Sequence, residues 1–369
     1  MNERRVLPAG HPLVKQVQKD FRVVEKSAAF LVRLRGEGRY RSAVFPDLAQ
    51  EPQILLEFIP AALVPRPAAL ERWWEALRLP YITFSLLPLL LVSAAYYRAQ
   101  GYLPPLITLL LFLSVAMIHV SCNLWGDYED HLRGVDSPDH DGGSRVIQRL
   151  WIPAVHLRNA AALLMILGLA TGAGLLVLLP LVAVAKPLFI LALAGSLGAA
   201  SYSGWPFHYK YLGLGEPIIF LLSGPLLTIG ASILFYQEQN HLLWASLVSL
   251  PLSFLAVLRL HGGNTQRIPF DTMAGVFTAA RALGFRWSKR AWAAHFFAPF
   301  FVTGILMAMG YAPISAALTL VTLPLALLSI APLRKATGPL DPACHELRER
   351  GAQLHLAFGL IYALSFLFP

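Results

Sequence analysis

The sequence predicts an all-α integral membrane protein, a bundle of about nine transmembrane helices preceded by a small N-terminal cytosolic segment. Three observations predict it. The 369-residue chain is 56% hydrophobic and 14% charged, with a mean hydropathy of +0.57, too apolar for a soluble domain. From Pro80 onward, apolar runs near the ~20 residues that a bilayer requires recur to the C-terminus. The charges gather between these runs, and mostly on alternate links.

Residues 1–70 are of another kind, with scattered charges and no run long enough for a bilayer. Ala28, Phe30, Val32 and Leu34 alternate with Ala29, Leu31, Arg33 and Arg35; Gly36-Glu37-Gly38 then precedes a second short run, Tyr40 to Phe45. This pattern predicts a β-hairpin. Ile54 to Ile59 adds a third strand, and Pro65-Arg66-Pro67 reads as the linker to residues 71–369. The segment fits a partner-binding or membrane-surface module as well as it fits a packing extension. Met1-Asn-Glu-Arg-Arg5 leads into polar sequence rather than an apolar core, so no signal peptide is read and the segment stays cytosolic.

Ala68 to Arg78 carries Trp73, Trp74 and Leu77 among charges, as a helix at headgroup level does. Nine spans follow, at roughly 80–98, 104–125, 154–180, 186–203, 216–236, 241–261, 290–309, 312–331 and 351–368. The links after the even spans hold Arg133, Arg145, Arg149, Lys210, Arg267, Arg281, Arg286, Lys289, Arg334, Lys335 and Arg348, whereas the opposite links hold Arg98 and Lys186. The even links and the N-terminal segment are therefore expected on the cytoplasmic side of a bacterial-type inner membrane. The same asymmetry accounts for the formal charge of +9 without nucleic acid. Cys122 and Cys344 flank different helices and support neither a disulfide framework nor a zinc site.

The chemistry is expected on these even links. Asn123, Asp127 and Asp130 follow the second apolar run at i, i+4 and i+7, which places them on one face if the helix continues. Carboxylates stacked at a membrane helix end repel one another unless a cation lies between them. A hard divalent ion such as Mg²⁺ fits, since it takes oxygen ligands and keeps positions open for phosphate. The competing reading is a solvated acidic loop. Further on, Gly142-Gly143 permits close backbone approach to an anion, and Arg145 either forks onto a phosphate or pairs with Asp139 or Asp141. The loop Tyr202 to Pro217 mixes aromatic and basic residues; Lys210 is its candidate phosphate contact, and an interfacial aromatic belt is the alternative. In the stretch His261 to Gly275, Asn264, Arg267 and Asp271 share a face of a continuous helix that Pro269 kinks.

These motifs resemble the UbiA superfamily of intramembrane aromatic prenyltransferases, and most its 1,4-dihydroxy-2-naphthoate branch, which makes the menaquinone precursor. The branch's N-x-x-N-D-x-x-D-x-x-x-G-x-D is matched by Asn123, Asp127, Asp130, Gly134 and Asp136, with Gly126 for the second Asn. The continuation to Arg145, the Tyr211-Leu-Gly213-Leu-Gly215-Glu216 loop, Gly224-Pro225-Leu226 and Ala352 to Leu360 are similar too. The second pattern, N-N-x-R-D-x-x-x-D-x-x-x-G-K, is met by Asn264, Asp271 and Gly275, whereas Gly263, Gln266, Arg267 and Val276 depart from it.

The resemblance implies transfer of a polyprenyl group from its diphosphate to an aromatic acceptor within the membrane lipid. It implies Mg²⁺ on Asp127, Asp130 and Asp271, with Asn123 completing the catalytic set, and diphosphate or acceptor contacts from Arg145, Lys210, Tyr211, Asn264, Arg267 and Asp136. No protein partner is implied. Arg267 separates two expectations. Either its permanent charge stands where a second metal ion would sit and the enzyme is active, or it locks Asp271 and leaves a lipid- or prenyl-diphosphate-binding protein without turnover. A transporter is the third class, disfavoured because the ionisable residues crowd the cytoplasmic ends. His295 and His355 read as packing residues.

Overall fold

The computed structural model describes residues 3–8, 10–25, 28–35, 53–133, 135–136, 142–179 and 182–369. At the N-terminus, β1 (Glu3–Pro8), α1 (Pro12–Lys19), β2 (Arg22–Glu25), β3 (Ala28–Arg35) and β4 (Gln53–Pro60) form an antiparallel sheet in the order β1-β4-β3-β2. The expected third strand is β4, and it pairs along β3 from Phe30↔Pro60 to Arg35↔Leu55. The turn and second strand expected at 36–45 lie outside the described residues. The hairpin that is described joins β2 to β3. Its first arm, Arg22-Val-Val-Glu25, is too short for alternation to betray it.

The amphipathic α2 (Ala69–Leu77) ends at Arg78, a left-handed cap with φ of 50°. The membrane helices are α3 (Thr83–Gln100), α4 (Pro105–Leu132), α5 (Ala154–Val177), α6 (Val182–Ala200), α7 (Gly215–Leu222) with α8 (Pro225–Tyr236), α9 (Leu242–Val248) with α10 (Leu250–Gln266), α12 (Ala279–Ala308), the 3₁₀ stretch Ile314–Thr322 with α13 (Leu323–Leu333), and α14 (Leu347–Ser365). Each expected span thus corresponds to a helical stretch. Among the described residues, six stretches are long and apolar enough to cross a bilayer alone, and α9–α10, bent by 41°, makes a seventh. The apolar α6 is shorter, and α14 opens on Arg348, Glu349 and Arg350. The outer faces carry Ile314, Phe301, Val321 and Leu328 in the open, which only lipid solvates without cost.

Helix ends follow local chemistry. Gly101 stops α3 with φ 67°, and Pro105 opens α4 at a position whose N–H needs no partner. Thr278 caps α12 by accepting from the Arg281 amide at 3.2 Å. That helix begins before the expected 290 and turns at Gly284, φ 70°. The short α11 (Ile268–Met273) follows α10 through Arg267, so the kink expected at Pro269 is a break. Proline lacks the N–H that continuity requires, and it sits instead in the first turn of the new helix.

Among the membrane helices, packing relies on small and hydroxyl residues, because lipid is as apolar as leucine and hydrophobicity alone does not press helices together. The most extensive pair, α4 with α5, meets at Gly168, where a methyl would run into Ile118 and the Ser114 backbone. Ser114 Oγ donates to Gly168 O at 2.8 Å, and Ser121 Oγ to Ala161 O at 2.7 Å. A second core gathers Leu87, Leu91, Leu252, Leu255, Phe296 and Phe358 from α3, α10, α12 and α14. The N-terminal sheet is tied down through Phe21 and Ile59, which pack on Leu150 of the segment after α4.

Candidate functional site

Helix α4 continues seven residues past the expected span end at 125, so the spacing of Asn123, Asp127 and Asp130 becomes a real face. That face lines a cavity of about 680 Å³, and Lys210, Asn264, Arg267 and Asp271 line it as well. Helices α4, α10 and α11 and the Lys210 segment, far apart in the chain, are thereby brought to one polar end. Toward the other end the wall is apolar, with Leu111, Val115, Leu169, Leu188, Leu226 and Leu234 from α4, α5, α6 and α8.

Each carboxylate is buried, and each has a countercharge from the protein. Asp127 Oδ1 meets Arg78 at 2.9 Å, and Asp127 Oδ2 accepts from the Ser144 amide at 3.1 Å and from the Ser144 hydroxyl. Lys210 donates to Asp130, which also accepts from the Tyr211 hydroxyl at 2.6 Å. Arg267 bridges the two motifs, 3.2 Å from Asp136 and 3.4 Å from Asp271, and donates to Val135 O at 3.0 Å. The physical reason is electrostatic: carboxylates removed from water require cations at hydrogen-bond range.

The loop groups titrate accordingly. Burial, with the Asp130 charge adding to it, lifts Asp136 to about 6 against the opposing pull of Arg267. Burial raises Asp271 despite Arg267 beside it. Burial would lower Arg267, but Asp271, Asp136 and Asp130 together hold it above its ordinary value. Burial and the Asp130 charge push the Tyr211 phenol well up, so it stays a hydrogen-bond donor.

Several expectations change in detail. The anion that Gly142 and Gly143 approach is the protein's own: a methyl at Gly143 would collide with the Asp127 carboxylate, and one at Gly142 with Asp136 and Arg267. Asp136 and Tyr211 stand behind the cavity wall, acting on Arg267 and Asp130. Arg145, in a left-handed turn with φ 58°, does not line the cavity. Its candidate partners Asp139 and Asp141 lie outside the described residues. Asp127, Asp130 and Asp271 do not gather into one close metal-binding group among the described residues, because each is turned to its own cation. The donor chemistry nonetheless fits Mg²⁺: hard oxygens of Asp127, Asp130 and the Asn123 amide face one cavity beside the glycine cradle. Asp271 fits less well, since Arg267 already holds it.

Arg78, Ser144 and the His261–Glu216 pair at 2.7 Å complete the polar end, Arg259 and Arg348 line the cavity as well, and sequence reasoning gave none of them a role in the site. One signal was available, an arginine inside the apolar run Leu255-Ala-Val-Leu-Arg259-Leu. His355 is buried and stacked on Phe84 with centroids 3.9 Å apart, but neither ring nitrogen has a hydrogen-bond partner among the described residues, so it is not the satisfied packing residue expected. His295, partly buried, stands 6.0 Å from the His261 ring and bonds back to Ala291 O at 2.6 Å.

Comparison with known proteins agrees with this architecture. The chain is 30% identical to human UbiA prenyltransferase domain-containing protein 1 over 290 residues, 79% of this chain and 81% of that protein. It is 28% identical to the homologue from Drosophila melanogaster over 305 residues, covering 80% and 79%. These relatives are animal proteins and lend the expected bacterial-type membrane no support. Among solved structures, a UbiA homologue from Archaeoglobus fulgidus bound to GPP and Mg²⁺ has the same fold, with TM-score 0.55 and 17% identity over 80% of this chain and 99% of that one. The model of the UbiA prenyltransferase family matches residues 85–343. The chain is therefore an integral membrane protein that belongs to the UbiA prenyltransferase family.

Proposed function

We propose that this protein transfers a polyprenyl group from its diphosphate to 1,4-dihydroxy-2-naphthoate or a related quinone precursor, from the cytoplasmic side of its membrane. The observation that carries the reading is one continuous cavity, with carboxylates, a lysine and arginines at one end and an apolar channel at the other. The donor has the same division, an anionic head on an apolar tail. An archaeal homologue bound to GPP and Mg²⁺ supports the donor class.

The chain's residues divide the work. Lys210 and Arg267 offer N–H donors to diphosphate oxygens as negative charge develops on the leaving group. When the allylic carbon–oxygen bond breaks, the electron pair leaves with the diphosphate. A ring carbon of the acceptor then bonds to the allylic carbon and gives up its proton to the departed diphosphate. Asp127, Asp130 and Asn123 would hold Mg²⁺, which supplies Lewis-acid neutralisation of the departing diphosphate. Tyr211 and Ser144 orient the two carboxylates. Asp271 keeps Arg267 aimed, and the leucine-lined channel shelters the tail from water.

The test is turnover by purified protein in lipid nanodiscs with Mg²⁺, labelled polyprenyl diphosphate and dihydroxynaphthoate. A labelled lipid product is expected, and no product with any aromatic acceptor would sink the reading. The Arg267–Asp271 contact favours a second reading, a prenyl-diphosphate-binding protein without turnover. Saturable binding of the donor with no product would support that one.

A further inference from the structure

Five cations line the cavity, and four of them face a carboxylate. Arg78 meets Asp127, Lys210 meets Asp130, Arg267 meets Asp136 and Asp271, and Arg348 meets Glu349. Arg259 is the fifth, and among the described residues no carboxylate lies within ion-pair distance of it. Its guanidinium carbon sits 4.1 Å from the ring centroid of Tyr81 and 5.8 Å from that of Phe84, and its buried Nε has no hydrogen-bond partner. It lies eight residues before Arg267 along α10, roughly 12 Å farther from the diphosphate end at the helical rise per residue. On the same wall stand Ser85 and His119, joined at 2.7 Å, and neither is acidic. Behind it, Gly351 lets α14 rest on the Arg259 backbone, which closes that side.

A permanent cation held among apolar and aromatic groups without a counter-anion is costly unless a ligand brings the anion. A guanidinium matches a carboxylate in two parallel hydrogen bonds, which an ammonium does not. Tyr81 and Phe84 supply ring faces at the same depth. We propose that Arg259 is a specificity-determining residue at the acceptor end of this cavity, where it binds the carboxylate of a planar aromatic acid and favours it over the uncharged ring. This rests on the prenyl-transfer reading, since it assigns the second substrate of the same site. Arg259 lines the same cavity as Lys210 and Arg267, so the carboxylate and the diphosphate have separate cations.

Equilibrium binding to the full chain in nanodiscs tests it without turnover, with 1-hydroxy-2-naphthoate, 1-naphthol and inorganic pyrophosphate as separate probes. The wild-type protein is expected to bind the carboxylated ring at least tenfold more tightly than naphthol, and equal affinity overturns the proposal whatever the variants do. In Arg259→Met that preference is expected to fall on the order of 10- to 100-fold, the value of a lost charge-assisted hydrogen-bond pair. Pyrophosphate and naphthol binding should stay unchanged, and Arg259→Lys should restore part of the preference. Weaker naphthol binding to the same degree would make Arg259 a packing residue. A loss confined to pyrophosphate would assign it to a phosphate, from donor or lipid headgroup. Either result refutes the acceptor role. Arg259-dependent binding of the acid without product in the turnover assay would remove the prenyl-transfer reading, and with it the acceptor role, and leave Arg259 only as a carboxylate-binding residue.

Discussion

Arg267 is the residue on which the two functional readings divide. The sequence resemblance puts it where a carboxylate is expected, and it reaches Asp136 of the first motif as well as Asp271 of the second. A guanidinium cannot release its charge, so it neutralises the two half-sites continuously. If it stands in for a metal ion, Arg267→Asp should make activity demand more Mg²⁺, visible as a rightward shift of the Mg²⁺ titration at constant donor concentration. Unchanged Mg²⁺ dependence would count against that role. Asp127→Asn should lower kcat on the order of 10²-fold or more, because a leaving-group stabiliser acts mainly in the transition state. An unchanged rate would displace the whole site assignment. Tyr211→Phe removes a neutral donor to a carboxylate that keeps Lys210, and roughly a tenfold loss of kcat/KM is expected from one charge-assisted hydrogen bond.

At the scale of elements, the site depends on backbones that come unusually close. The segment after α4 folds back so that Gly143 lies against the Asp127 carboxylate. Gly143→Ala should therefore cost both activity and stability, about 1–3 kcal/mol if the neighbouring groups move to admit the methyl. The thermal midpoint of purified protein, compared with Gly174→Ala, reads this. Gly174 has open space around it, so its variant should melt like the wild type. The break between α10 and α11 has a similar function. It puts Arg267 at a helix junction, where its side chain reaches Val135 and Asp136 of another loop as well as Asp271 one turn on.

Across the whole molecule, orientation and the N-terminal sheet are the open matters of architecture. The links that carry Lys210, Arg267 and Lys335 are expected on the cytoplasmic side. A cysteine placed at Gly338 should then react with an impermeant maleimide only from that side, and one at Gln239 only from the other, in a background without Cys122 and Cys344. Labelling of both from one side would refute the assignment. The sheet contributes Phe21 and Ile59 to the same cluster as Leu150. Phe21→Ala should loosen residues 142–152, which hold Ser144 on Asp127, and lower the thermal midpoint, since an apolar truncation of this size typically costs about 3 kcal/mol. A midpoint equal to wild type would make the sheet a separate module.

Spans, their order and the shared face of Asn123, Asp127 and Asp130 were legible in the chain alone, because hydropathy and the 3.6-residue period are properties of neighbours in sequence. The third strand at Ile54 to Ile59 was legible for the same reason. The partner of each charge was not. Arg267 meets Asp136 across 131 positions, and Lys210 meets Asp130 across 80. Arg78, read beforehand only as the end of an interfacial helix, meets Asp127 at 2.9 Å from the left-handed cap of α2. Arg259 stands without a carboxylate only once the other cations lining the cavity have been matched with theirs, and that matching exists only in three dimensions.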